Sequence, residues 1–182
     1  TTILIIIGTI ILVYAMLFVM ASTKYEIIRS VIVDKPLPEV FSHITLLKLQ
    51  DYWSPWGNDV EDDEFTHYGT DGHVGFKSVW KKKYKLFELE GEHEIIRIVE
   101  DRFIETEIRY TKPFKITSLA YMNVYEEGAK TIIYWGFRGK YKRPLNVIVF
   151  FIGLDKYFGR RFEVALKKIK HYIEYDVTTI QK

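Results

Sequence analysis

Eight apolar residues near the C-terminus constrain this chain more than any motif does. Val147, Phe151, Leu154, Phe158, Phe162, Ala165, Ile169 and Tyr172 recur in steps of three and four between Pro144 and about Asp176. That period lays one continuous apolar stripe along a helix. Lys156, Arg160, Glu163, Lys167, Lys170 and Glu174 fall on its other faces. A helix of roughly thirty residues is about 45 Å long at 1.5 Å per residue, longer than a small domain is wide. Something extended must cover the stripe. The stretch before it alternates as strands do, so the expected cover is a curved antiparallel sheet that wraps the helix and encloses a cavity.

The chain has 182 residues, enough for one domain and an appendage. Aromatics make up 16% of it, with 13 Tyr and 12 Phe. Such residues line a wide apolar interior without flexible side chains. A net charge of +2 gives no bulk field for nucleic acid, and no nucleic-acid partner is expected. The absence of Cys excludes disulfides and thiolate chemistry and leaves the compartment open. Charge is unevenly placed: six acids and no Lys or Arg from Asp51 to Glu64, and nine basic residues against Asp155 and Glu163 from Lys140 to Lys170. Two solvated faces are the plain reading. A basic face near anionic headgroups is the sharper one.

Residues 1–23 carry no charge, and Ile3 to Ala21 is almost unbroken Ile, Leu, Val, Met, Phe and Ala. About twenty such residues span a hydrocarbon core of roughly 30 Å. A signal peptide is the rival, but the run exceeds the usual apolar region of about 7–15 residues. The expectation is a single-pass anchor over residues 1–23, meeting the lipid bilayer through residues 3–21, and a second unit over residues 24–182. Lys24 and Arg29 follow the span and lean the domain towards the cytoplasmic side. The chain does not begin with Met, and a lysine or two ahead of Thr1 would cancel that lean.

Tyr25 to Val33 reads as a strand, and Pro36 and Pro38 open a short helix with Glu39 near its positive end. Lys48 to Trp53 reads as a second short helix. Strands follow at Phe65–Tyr68, Phe76–Lys81, Glu88–Glu94, Phe103–Tyr110, Ile116–Tyr125 and Thr131–Arg138, with Lys81–Lys85 as a basic turn. Ile95-Ile96 breaks parity, which predicts a bulge. Gly69, Gly72 and Gly75 lack the spacing of a nucleotide loop, and Asp71-Gly72 is a turn signal. Gly153 would be a hinge inside the long helix. Strands grouped ahead of one terminal helix give an α+β fold.

The order of elements resembles the helix-grip fold of the START-like (SRPBCC) superfamily. Arg29 to Phe41 resembles its opening strand and helix. Asp51-Tyr52-Trp53-Ser54-Pro55-Trp56, Gly139 to Pro144 and Asp155 to Glu163 resemble a bacterial, polyketide cyclase-like subgroup with an N-terminal membrane span. The resemblance covers about residues 24–176 and implies a mostly apolar cavity between sheet and helix.

The inward candidates for that cavity are Trp80, His93, Thr106, Tyr110, Leu154, Phe158 and Phe162, with Ser118 or Tyr121 joining according to parity. His93 stands among four alternating acids and turns inward with Leu89 and Ile95. A satisfied core histidine is its plain reading and a general base its sharp one. Trp53 and Trp56 staple the short helices or rim the cavity. No His-Glu-x-x-His or other metal spacing occurs, and no cofactor or metal is expected. Leu145, Ile148, Val149, Phe150 and Ile152 make the first turns of the long helix apolar all round, so they should touch a bilayer, a partner protein or a loop lid, an extra internal contact being the plain reading. Three functions compete. The first is a membrane-anchored module for a lipid- or isoprenoid-like small molecule. The second is an accessory subunit of a membrane complex, and the third a cyclase-type enzyme.

Overall fold

Alternation along the strands resolves into pairing. The computed structural model describes residues 2–54, 64–84, 88–140, 143 and 153–175. Its elements are α1 (Thr2–Met20), β1 (Lys24–Val33), α2 (Leu37–Ile44), α3 (Leu47–Trp53), β2 (Glu64–Tyr68), β3 (Lys77–Lys83), β4 (Glu88–Val99), β5 (Phe103–Lys112), β6 (Ile116–Glu127), β7 (Lys130–Lys140) and α4 (Leu154–Tyr175). The strands form one seven-stranded antiparallel sheet in the order β1-β7-β6-β5-β4-β3-β2. Hairpins carry the chain from one edge to the other, and α4 returns across the inner face against β1. This is the α+β helix-grip arrangement that the pattern implied.

The stripe on α4 is used in part: Phe162, Ala165 and Ile169 are buried as read, Phe158 and Tyr172 are partly buried, Leu166 and Ile173 join them, and Val147, Phe151 and the Leu154 side chain lie outside what is described. Phe162, Ala165, Leu166, Ile169 and Ile173 are buried, facing Val33, Val124, Ile133, Trp135 and Phe137 in one core. Each large side chain buried there contributes about 1.5–3 kcal/mol. The helix is shorter than the periodicity suggested. Gly153 has φ +67°, which an α-helix cannot contain, so α4 begins at Leu154 and Gly153 is a turn before it. Its 22 residues span about 33 Å. Leu145, Ile148, Val149, Phe150 and Ile152 lie outside the described residues, as does Trp56.

Local chemistry fixes the rest. The Asp71 carboxylate accepts hydrogen bonds from the Leu47 and Lys48 backbone N–H groups at 2.9 and 3.2 Å, capping α3 from the β2–β3 connection. The glycine-bearing turn therefore positions a helix cap. Pairing of β4 with β5 slips between Ile95 and Arg97, where the parity break predicted a bulge. One expectation is corrected: Lys81–Lys83 is not a turn, because β3 continues paired with β4 through Lys83.

The outer face of the sheet divides in two. Over β3, β4 and β5 it is a ladder of ion pairs, Lys77–Glu94, Lys81–Glu90 and Lys112 with Glu88 and Glu90, and Arg109 binds Glu92, Glu94 and Glu107. Over β1, β7 and β6 it is mixed: Arg138 pairs with Glu105, and Ile28, Tyr121, Asn123, Tyr125, Ile132 and Tyr134 line an open, mostly apolar hollow. Helix α1 has no buried residue and is long and apolar enough to cross a membrane.

Candidate functional site

The site is built from rungs that cross β3, β4 and β5. Trp80, Gly91 and Tyr110 stand opposite one another on the three strands. The Trp80 and Tyr110 rings meet edge to face at 5.2 Å. They close over Gly91, where a Cβ would lie 2.5 Å from Trp80 Cζ2 and 2.7 Å from the Arg109 carbonyl oxygen. The next rung is Ser78, His93 and Ile108. His93 Nε2 lies 2.7 Å from Thr106 Oγ1, and the Thr106 hydroxyl donates to the Ala120 carbonyl at 3.4 Å. With the hydroxyl proton so directed, His93 donates from Nε2, and Nδ1 is left as an acceptor. Burial pushes the His93 pKa down to about 4, so the imidazole is neutral at pH 7. Burial also raises the Tyr110 hydroxyl well above the usual phenol range, so it stays a donor.

These rungs wall a cavity. It offers about 80 Å³ to a water-sized sphere, within about 730 Å³ of atom-free space that includes its mouth. Phe65, Trp80, Tyr84, Tyr110 and Trp135 supply rings, and Leu89, Ile108 and Ala120 supply aliphatic wall. Gln50, Ser54, Lys82, His93 and Arg161 supply the polar atoms. Lys82 is only 3% exposed, with its ammonium 5.7 Å from the Phe65 ring centre. Beside the cavity, Trp53 is buried edge to face against Trp135 at 5.2 Å. Its Nε1–H has no hydrogen-bond partner among the described residues, and an orphan donor of this kind costs about 1–3 kcal/mol in a closed core.

Of the residues singled out by sequence, Trp80, His93 and Tyr110 come together on this wall. Thr106 stands behind His93 and holds it. Phe162 packs on Trp135 at 4.2 Å and Phe158 near Phe137 at 6.5 Å, so both belong to the helix–sheet core rather than to the cavity lining. The Leu154 side chain lies outside what is described. Ser118 faces inward and bonds the Tyr25 hydroxyl at 2.9 Å, whereas Tyr121 faces outward and donates to Glu26 at 2.8 Å. Trp135, Lys82, Arg161 and Gln50 were missed. Lys82 shares parity with Trp80, and Trp135 shares it with Ile133 and Phe137, so both carried a signal. Arg161 sits three residues after Phe158 on the same helical face, a weaker cue, and Gln50 carried none. Among the described residues no three His, Asp or Glu side chains converge on a metal-sized site.

No family model matches this sequence, and no curated protein matches it. Solved structures do. Protein SA2116 from Staphylococcus aureus, of unknown function, superposes with a TM-score of 0.62 at 15% identity, covering 84% of this chain and 95% of its own. Mll3558 from Rhizobium loti gives 0.60 at 17%, covering 80% and 96%. Major latex-like protein 151 from Panax ginseng gives 0.56 at 11%, covering 82% and 97%. At such identities the likeness is one of fold. That fold is a helix-grip fold, a curved antiparallel sheet closed by a C-terminal helix.

Proposed function

We propose that the chain is a membrane-tethered module that binds a hydrophobic small molecule, lipid- or isoprenoid-like, in the cavity between the sheet and α4. The observation that carries this is a sheet packed solid at one end and hollow at the other, with rings on the hollow wall and a few oriented polar atoms among them. The neutral His93 imidazole and the Tyr110 hydroxyl would read one polar group of the ligand, and the rings its apolar body. The enclosed part is small against drug-sized pockets of about 300–1,000 Å³, so it suits a ring or the end of a longer molecule whose remainder occupies the mouth. Residues 1–23 would be the anchor and 24–182 the binding domain, with a lean to the cytoplasmic side. Native mass spectrometry of the full chain released gently from membranes tests this reading. A bound small molecule of defined mass is the expected result, and a bare protein would overturn it.

A second reading, an accessory subunit of a membrane complex, draws on the mostly apolar outer hollow at Ile28, Tyr121, Tyr125, Ile132 and Tyr134. Stoichiometric protein partners in the same spectra, with no small molecule, would favour it. Cyclase-type catalysis has less behind it, since an imidazole with a pKa of about 4 is a weak base at neutral pH.

A further inference from the structure

The sheet has one end that follows α1 directly, and that end carries an unusual turn. Three residues, Ala21, Ser22 and Thr23, separate α1 from β1. Arg143, beyond the end of β7, donates to the Val19 carbonyl at 3.2 Å and lies 5.2 Å from the Phe18 ring centre. So this end of the sheet meets the last turn of α1. In the pairing register Lys24 stands opposite Lys140, and Gly139 opposite Ser118, which puts Thr117 level with Lys24. The β5–β6 turn continues past that level. Phe114 lies three residues beyond Thr117, as Ala21 lies three before Lys24, a reach of up to about 10 Å in each case. The turn thus lies beyond the strand ends on the same side of the sheet as α1.

The tip is apolar and its flanks are basic. Phe114 is 72% exposed, the most exposed aromatic residue but one among those described, and Ile116 is 38% exposed. Lys115 adjoins Phe114 in the turn, and Lys24 and Lys140 stand level with Thr117; all three are exposed and make no ion pair among the described residues. An exposed aromatic tip with unpaired lysines at the same end of the sheet matches the layering of an anionic bilayer surface, acyl boundary inside and phosphate outside. The cavity lies at the same end: Tyr110 is two residues before the end of β5, and Lys82 pairs with Leu89 at the ends of β3 and β4.

We propose that the β5–β6 turn is a second membrane contact, in which Phe114 enters the interface of an anionic leaflet and Lys24, Lys115 and Lys140 meet lipid phosphates. This contact holds the hollow end of the sheet against the bilayer, so that the ligand exchanges with the membrane rather than with water. The proposal rests on α1 being the anchor, as proposed above, and deepens that reading by naming where the cavity faces.

The chain has no cysteine, so single introduced cysteines take a nitroxide label uniquely. Full-length F114C, E127C and V13C are placed in nanodiscs of phosphatidylcholine with 30% phosphatidylglycerol. Relaxation by oxygen, which enriches in lipid, is then compared with relaxation by a water-soluble nickel chelate. The V13C label reports the anchor, and E127C reports the opposite end of the sheet. The expected result is membrane depth at 13, interfacial depth at 114 and full water exposure at 127. K115E/K140E should return the label at 114 to water values while 13 stays deep. A deep label at 13 with a wet label at 114 overturns the contact and leaves the anchor standing. Water exposure at both overturns both. Interfacial depth at 114 in a protein that carries no small molecule would keep the contact and remove the ligand reading.

Discussion

The two ends of one sheet are built from the same strands and do opposite things. At the end near Val33, the side chains of Val33, Ile104, Val124 and Ile133 close on Ile169 and Ile173 of α4 and on α2, all at most 2% exposed. At the end near Lys24, the equivalent rungs carry Trp80, Gly91 and Tyr110, then Ser78, His93 and Ile108, and leave a cavity. The difference lies in side-chain choice, not in backbone. Branched aliphatic residues interdigitate to native density, while rings braced over a glycine hold a space open. Stability should therefore reside at one end and recognition at the other.

The comparison is broken most severely by truncation at the packed end. Ile133→Ala removes buried atoms with no room to relax and should cost about 2–5 kcal/mol in urea unfolding. Next comes His93. Its folded pKa is about 4, below the ordinary value, so the unfolded chain takes up its proton first. This contribution to stability is complete above about pH 6.5 and is lost as pH falls towards 4, reaching roughly 3 kcal/mol. Unfolding of wild type and H93Q compared from pH 7.5 to 4 should show that slope in the wild type and a flatter one in the variant. Overpacking separates the ends more finely. Val124→Phe, in the closed core, should cost about 1–3 kcal/mol. Ala120→Leu, which grows into the cavity, should stay within about 1 kcal/mol while displacing the ligand. The smallest effect belongs to the outer ladder: Lys112→Ala breaks exposed pairs with Glu88 and Glu90 and should change stability by less than about 1 kcal/mol.

Much of the fold was legible because period alone carries it. The two-residue period of β5 and β6 and the three-and-four period of α4 each name a buried face, and those faces meet in the structure. The bulge after Ile95 was legible for the same reason, since a parity break has few other meanings. The site was less legible. Trp80, His93 and Tyr110 were placed on the inner face, where the structure has them beside the cavity, because an inward polar or ring residue is visible from parity. Lys82 was lost because three successive lysines look like a turn, although the strand carries the middle one inside. Phe158 and Phe162 were placed at the cavity because a helical stripe does not say which part of it faces a core and which a space. The helix start was misread because glycine is silent about the sign of φ, and Gly153 takes the positive one. Arg161 and Gln50 reach the cavity through tertiary placement that no spacing encodes.

The most direct test of the central claim is native mass spectrometry of the chain, extracted gently from the cells that make it, beside its A120L variant. The account predicts a small molecule of defined mass on the wild type and its loss from a variant that still folds. An empty wild type, or a ligand held equally by both, would contradict binding in this cavity.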